Sequence, residues 1–182
     1  MNVDEISICA RASELIYGTP TDTDCQLSCE TALKEIGFAD FAWIKKETSF
    51  KDICAFVATS DKYHLLTFRG TDIPQDWMTD LACTPVRFDW VFTSAPAIGE
   101  IHAGFGHCLS DGVAEIITAL AVRDFSKPLL VTGHSLGGAL AAHIFQLLAR
   151  PCRQFQPFIH SVNRESDYMI FAIRTVGCFQ ED

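Results

Sequence analysis

The sequence predicts an α/β fold, a mostly parallel sheet flanked by helices, and three observations carry that prediction. Periodic segments follow one another as helix, strands, helix, strand, helix, strand, which is α/β alternation. Pro128-Leu129-Leu130-Val131-Thr132 is apolar without alternation, as in a strand buried on both faces of a parallel sheet. Between that run and an Ala-rich helical stretch lie only the six residues Gly133 to Gly138, enough for a tight strand-to-helix turn.

The first helix is predicted over Asp4 to Tyr17, with Ile6, Cys9, Ala10, Ser13, Ile16 and Tyr17 on its inner face and Gly18 and Pro20 ending it. A second runs from about Asp24 to Ile36. Thr23-x-x-Gln26 forms its capping box and Gly37 its C-terminal stop. Cys25 and Cys29 share a face of that helix with Ala32, Leu33 and Ile36, so they read as small apolar residues. Ile53 to Thr59 and Tyr63 to Phe68 read as strands joined by the hairpin turn Ser60-Asp61-Lys62. Thr71 to Leu81 is polar and reads as loop, and Arg87 to Glu100 reads as irregular. A long helix follows from about Gly106 to Val122, with a stripe of Leu109, Val113, Ile116, Ile117 and Leu120. After the Pro128 to Thr132 strand and its turn, a helix runs from Ala139 to Arg150 and is ended by Pro151. Cys152 to Asp167 reads as loop, and Tyr168 to Ile173 as a last buried strand.

The chain's 182 residues suit a single domain spanning 1–182. A chain of that size buries about 70% of its unfolded surface. Hydrophobic residues make up 48% and charged residues 20%, which excludes a disordered chain. The net charge of −9 argues against binding nucleic acid and against docking on anionic membranes. No run of 18 apolar residues exists, so no transmembrane segment is expected. Met1-Asn2-Val3-Asp4-Glu5 has neither the basic nor the apolar region of a signal peptide, so the expected location is cytoplasmic, with secretion compatible with a longer chain. The eight cysteines are then expected as free thiols. No metal-ligand cluster occurs and the glycine-rich turn houses a serine, so no metal and no organic cofactor is expected.

Thr132-Gly133-His134-Ser135-Leu136-Gly137-Gly138 contains G-x-S-x-G between a buried strand and a helix. In that context the serine sits on a strained turn with its hydroxyl pointing out of the sheet, and side chains two residues either side would collide. Glycines at 133 and 137 meet this requirement. The helix that follows presents free N–H groups and a positive dipole end toward developing negative charge.

Three ordered blocks resemble the class 3 lipases, the fungal-type triacylglycerol lipase family of α/β-hydrolases. They are Phe68-Arg69-Gly70-Thr71-Asp72 with Asp76-Trp77-Met78-Thr79-Asp80-Leu81, Ile101-His102-Ala103-Gly104-Phe105, and Val131 to Ala141 around the turn. The resemblance implies an α/β-hydrolase-type sheet, truncated at its C-terminal side, that cleaves lipid or other acyl esters. It implies Ser135 as nucleophile and the N–H groups of Thr71 and Leu136 as the oxyanion hole. One such donor is worth about 10²–10³ in rate. Asp80 would orient Thr71, and the segment with Ile73, Trp77 and Met78 corresponds to the family's lid.

The family's acid and histidine follow a T-F-G-x-P-R-V-G block, which Phe171 to Gly177 resembles in degraded form; both are expected beyond the chain's end. Of the local alternatives, His143 lies eight residues along the helix from Ser135, about 12 Å by helix rise. His160 with Asp167 is the weak local pair. Without a base, the oxyanion hole and binding alone leave about 10³–10⁴ over the uncatalysed rate. Three readings follow. One is a lipase or esterase cut short or given its base unconventionally. A second is a catalytically incomplete remnant that binds acyl chains or a protein partner. The third is a serine hydrolase of other acyl substrates such as amides.

Overall fold

The computed structural model describes residues 3–18, 23–47, 52–70, 85–87, 100–124, 126–149, 160–162 and 170–175. In chain order the elements are α1 (Val3–Leu15), a 3-10 turn (Ile16–Gly18), α2 (Thr23–Lys34), β1 (Ala39–Lys46), β2 (Ile53–Thr59) and β3 (His64–Phe68). They continue with β4 (Pro85–Arg87), β5 (Glu100–His102), α3 (Ala103–Ala121), β6 (Leu129–Gly133), α4 (Leu136–Ala149), β7 (His160–Val162) and β8 (Ile170–Thr175). Six strands form one sheet in the order β1-β2-β3-β6-β8-β7, and β4 pairs with β5 in a small separate ribbon. Among the described residues no helix is long and apolar enough to cross a membrane.

The sheet is flanked by helices as expected, but it is mixed rather than mostly parallel. Among the described residues only β3 and β6 pair in parallel, with Phe68 opposite Gly133. The reason lies at both ends of the sheet, in the antiparallel β1–β2–β3 run and in the β7–β8 pair. The crossover through α4 delivers β7 in the direction of β6, as a strand–helix–strand unit requires. The chain then turns back, and β8 inserts between β6 and β7, antiparallel to both. Two further expectations are corrected. β7 lies inside the stretch read as loop, and β1 occupies a stretch given no element. β1 carries apolar side chains toward both faces, Phe41 and Trp43 to one and Ala42 and Ile44 to the other, so it shows no two-residue period.

Alternation along the central strands divides the core in two. Ala55, Val57, Leu66, Phe68, Leu129 and Val131 face α3 and α4, packing on Leu109, Ile116, Leu140 and Ile144. Phe56, Ala58, Leu65 and Leu130 point the other way, onto Cys9, Ala12, Ile16, Cys29 and Leu33 of the N-terminal helices. Gly112 lets α3 approach β2 closely, since a Cβ there would run into Ile53. The predicted stripe of α3 is too wide at Ile117, which is 39% exposed, and Ile36 at the end of the predicted second helix is 47% exposed.

The end of α2 shows how local chemistry sets these boundaries. Phe38 N–H donates to the Leu33 carbonyl (3.0 Å) and Gly37 N–H to that of Lys34 (3.0 Å), the paired bonds of a Schellman cap. Gly37 takes φ +90°, a left-handed conformation in which a Cβ is disfavoured. Trp43 then donates its indole N–H to Glu30 (2.9 Å), tying β1 to α2. That hydrogen bond, assisted by Lys34, holds the Glu30 carboxyl below its ordinary pKa.

Candidate active site

Parallel pairing of β3 with β6 brings the C-terminal ends of both strands to the same edge of the sheet. Phe68, Arg69 and Gly70 emerge there beside Gly133, His134 and Ser135. Two residues separate β6 from α4, and the second of them, Ser135, takes φ +54°. A left-handed conformation costs a non-glycine residue on the order of 1–2 kcal/mol. The turn's own bonds offset it. Gly137 N–H donates to the His134 carbonyl (2.9 Å), and the N–H groups of Gly138 (2.9 Å) and Ala139 (3.2 Å) both donate to that of Ser135.

The glycines answer steric demands. A Cβ on Gly133 would overlap the Gly137 carbonyl, and one on Gly137 would overlap the Phe68 carbonyl. Gly137 therefore sits where α4 starts against the end of β3. The helix begins at Leu136 rather than at Ala139 as read from the sequence, because Gly137 and Gly138 are already helical. Leu136 N–H lies in the first turn, where helical donors lack intrahelical partners, and it has none among the described residues. Ser135 is half-buried and Leu136 is buried. The strained serine, the free N–H that follows it and the dipole end of α4 together form a strand–serine–helix elbow. Such an elbow can present a hydroxyl nucleophile and stabilise negative charge beside it.

The sequence profile of Lipase (class 3) matches residues 65–157, just over half of the chain. The chain belongs to the class 3 lipase family. Its fold resembles that of the triacylglyceride lipase of Rhizomucor miehei, with a TM-score of 0.52 and 23% identity over 82% of this chain and 57% of that one. A fungal lipase solved as an inhibitor complex gives 0.54 at 24% identity, again over 82% and 57%. The triacylglycerol lipase of Penicillium expansum gives 0.51 at 21% identity over the same shares. This class 3 lipase chain thus spans little more than half the length of the solved lipases it resembles. No curated protein sequence matches it.

Of the residues predicted to serve this lipase-family site, Ser135 and Leu136 are adjacent at the elbow. Thr71, Asp80 and the lid candidates Ile73, Trp77 and Met78 lie outside the described residues, as does Asp167. Gly70, immediately before Thr71, lies against the elbow, because a Cβ there would overlap the His134 carbonyl. His143 is half-buried on α4, and burial pushes its pKa down. His160 starts β7, which β8 separates from β6, so its backbone stands about 10 Å from that of β6 across the sheet. His102 ends β5. His64 lies at the far end of the sheet, where its ring bonds Thr59 Oγ1 (3.0 Å) and the Asp124 carbonyl; it is a structural tie between hairpin and connection.

Two contacts of this site could not be read from local pattern. Ser13 and Thr132 share a buried hydroxyl–hydroxyl hydrogen bond of 3.0 Å, and Thr132 also reaches the Cys9 carbonyl (3.4 Å), so α1 is bonded to β6. Tyr17 Oη lies 2.6 Å from His134 Nδ1, with the two rings edge to face at 5.2 Å. Each partner pair lies over a hundred positions apart in sequence. Of the described cysteines, Cys9, Cys25, Cys29 and Cys54 are free thiols. Burial pushes Cys9 and Cys29 up to about 12, so neither is nucleophilic at neutral pH.

Proposed function

We propose that this chain carries the nucleophile half of a serine carboxylic-ester hydrolase acting on acyl glycerols or similar lipid esters. The observation that carries the reading is Ser135 at φ +54° between a buried strand and a helix N-terminus, with glycines at 133 and 137 that cannot bear a Cβ. In this reading Ser135 Oγ attacks the ester carbonyl, its proton passing to a general base, and the carbonyl oxygen becomes an oxyanion. Leu136 N–H is one donor to that oxyanion, and the N–H of Thr71, the next residue in sequence after Gly70, is the other. Collapse of the tetrahedral intermediate expels the alcohol and leaves an acyl-enzyme on Ser135, which water then hydrolyses. The segment with Ile73, Trp77 and Met78 is the proposed cover of the acyl site.

His143 is excluded as the base by its position over two turns along α4 from Ser135. His160, on the outermost strand, is the local candidate. His160→Ala with undiminished hydrolysis eliminates it.

The test of the reading is labelling by a fluorophosphonate, which needs only an activated serine beside an oxyanion hole. The expected result is one labelled site, at Ser135, lost completely in Ser135→Ala. Labelling that persists in that variant, or none in the wild type, would overturn it. An ester series of increasing acyl length then separates lipase from esterase.

A further inference from the structure

Both halves of the proposed site hang on short segments just before their working residues. Gly70 precedes Thr71, and His134 precedes Ser135. One group outside the site reaches both: the phenol of Tyr17, in the 3-10 turn that ends α1. Its oxygen lies 2.6 Å from His134 Nδ1 and 3.4 Å from the His134 carbonyl, to which its O–H donates. The phenol and Nδ1 share a hydrogen bond whose direction follows the ring tautomer, so one hydroxyl reaches both ring and backbone of the same residue. The same oxygen occupies the space beside Gly70, where a Cβ would overlap both it and the His134 carbonyl. Gly70 is buried and His134 and Tyr17 are half-buried, so the junction is largely removed from solvent.

We propose that Tyr17 is a positioning residue that sets the separation between the Gly70 root of the oxyanion loop and the His134–Ser135 turn. The inference rests on the reading of Ser135 as nucleophile. Its physical basis is that the β3–β6 ladder ends at Phe68 and Gly133, so strand pairing does not reach the contact between Gly70 and His134. The Tyr17 ring, in the turn that follows α1, brings to that contact a hydroxyl that bonds one side and abuts the other. An oxyanion hole made from both segments depends on that spacing, and a misplacement of about 1 Å can cost about a hundredfold in rate.

Tyr17→Phe removes the hydroxyl and keeps the ring. In the full chain, the second-order rate of Ser135 labelling by a small fluorophosphonate is expected to fall by about ten- to a hundredfold, measured well below the melting temperature. Gly70→Ala, which wedges the same junction, is expected to show a similar loss. The ¹⁵N resonance of His134 Nδ1 is the second readout. Tyr17→Phe should shift it, whereas a hydroxyl that serves only the stability of α1 would leave both the resonance and the labelling rate as in the wild type. That unchanged pair of readouts, with a lowered melting temperature, would overturn the proposal. If wild-type Ser135 is not labelled at all, the hydrolase reading fails by itself. The Nδ1 resonance then decides whether Tyr17 holds the turn: a shift in Tyr17→Phe supports it and no shift refutes it.

Discussion

Ser135, Gly133 and Gly137 differ from other small residues of the chain in what surrounds them, and mutations should reveal it. Gly37 and Gly137 both resist a side chain, for opposite reasons. Gly37 needs φ +90° but has open space around a Cβ; Gly137 has a Phe68 carbonyl where its Cβ would go. Gly37→Ala should therefore cost about 1 kcal/mol in urea unfolding and leave fluorophosphonate labelling intact. Gly137→Ala should cost about 1–3 kcal/mol or more and abolish labelling, because α4 can move off β3 only by moving Ser135 and Leu136. Equal effects of the two variants on labelling would contradict the steric account.

Among the elements, α1 has the largest influence on the site without belonging to it. It covers the strand that carries the elbow and donates two polar ties, Ser13 to Thr132 and, through the following turn, Tyr17 to His134. Ser13→Ala leaves the Thr132 hydroxyl with only its longer contact to the Cys9 carbonyl. A destabilisation of about 1–3 kcal/mol is expected, read as a shift in urea midpoint at constant slope. An unchanged midpoint would mean that α1 is held by its apolar face alone.

For the whole molecule, buried ionisable groups set a pH window. The unfolded thiols of Cys9 and Cys29 lose protons from about 9.0, while the fold keeps them to about 12. The unfolded state therefore binds fewer protons above pH 9.0, and stability falls as pH rises through that range. His143 behaves oppositely. Burial holds it neutral, so below its ordinary 6.5 the unfolded chain takes up a proton that the fold refuses, and stability falls as pH drops. Glu30, held below 4.5 by Trp43, adds to the loss at still lower pH. Urea midpoints should thus form a plateau between 6.5 and 9.0 and decline on both sides. His143→Gln should flatten the first part of the acid limb; an unaltered limb would assign it to other groups.

The sequence by itself determined the elbow and the strands and helices around it. An unbroken apolar run, two glycines at fixed spacing and a stop after α2 each act through neighbours a few residues away, so their demands are written locally. The serine's strain follows from those same residues. Tertiary structure decided what depends on partners distant in the chain. β8 lies between β6 and β7 and antiparallel to both, and no local pattern encodes that strand order. β1 has apolar packing on both faces, against α2 and α3, which erases the alternation that would mark it as a strand. By its spacing Tyr17 is one more inner-face residue of the first helix, and 117 positions separate it from His134. Only folding puts its hydroxyl at the junction of Gly70 with the His134–Ser135 turn.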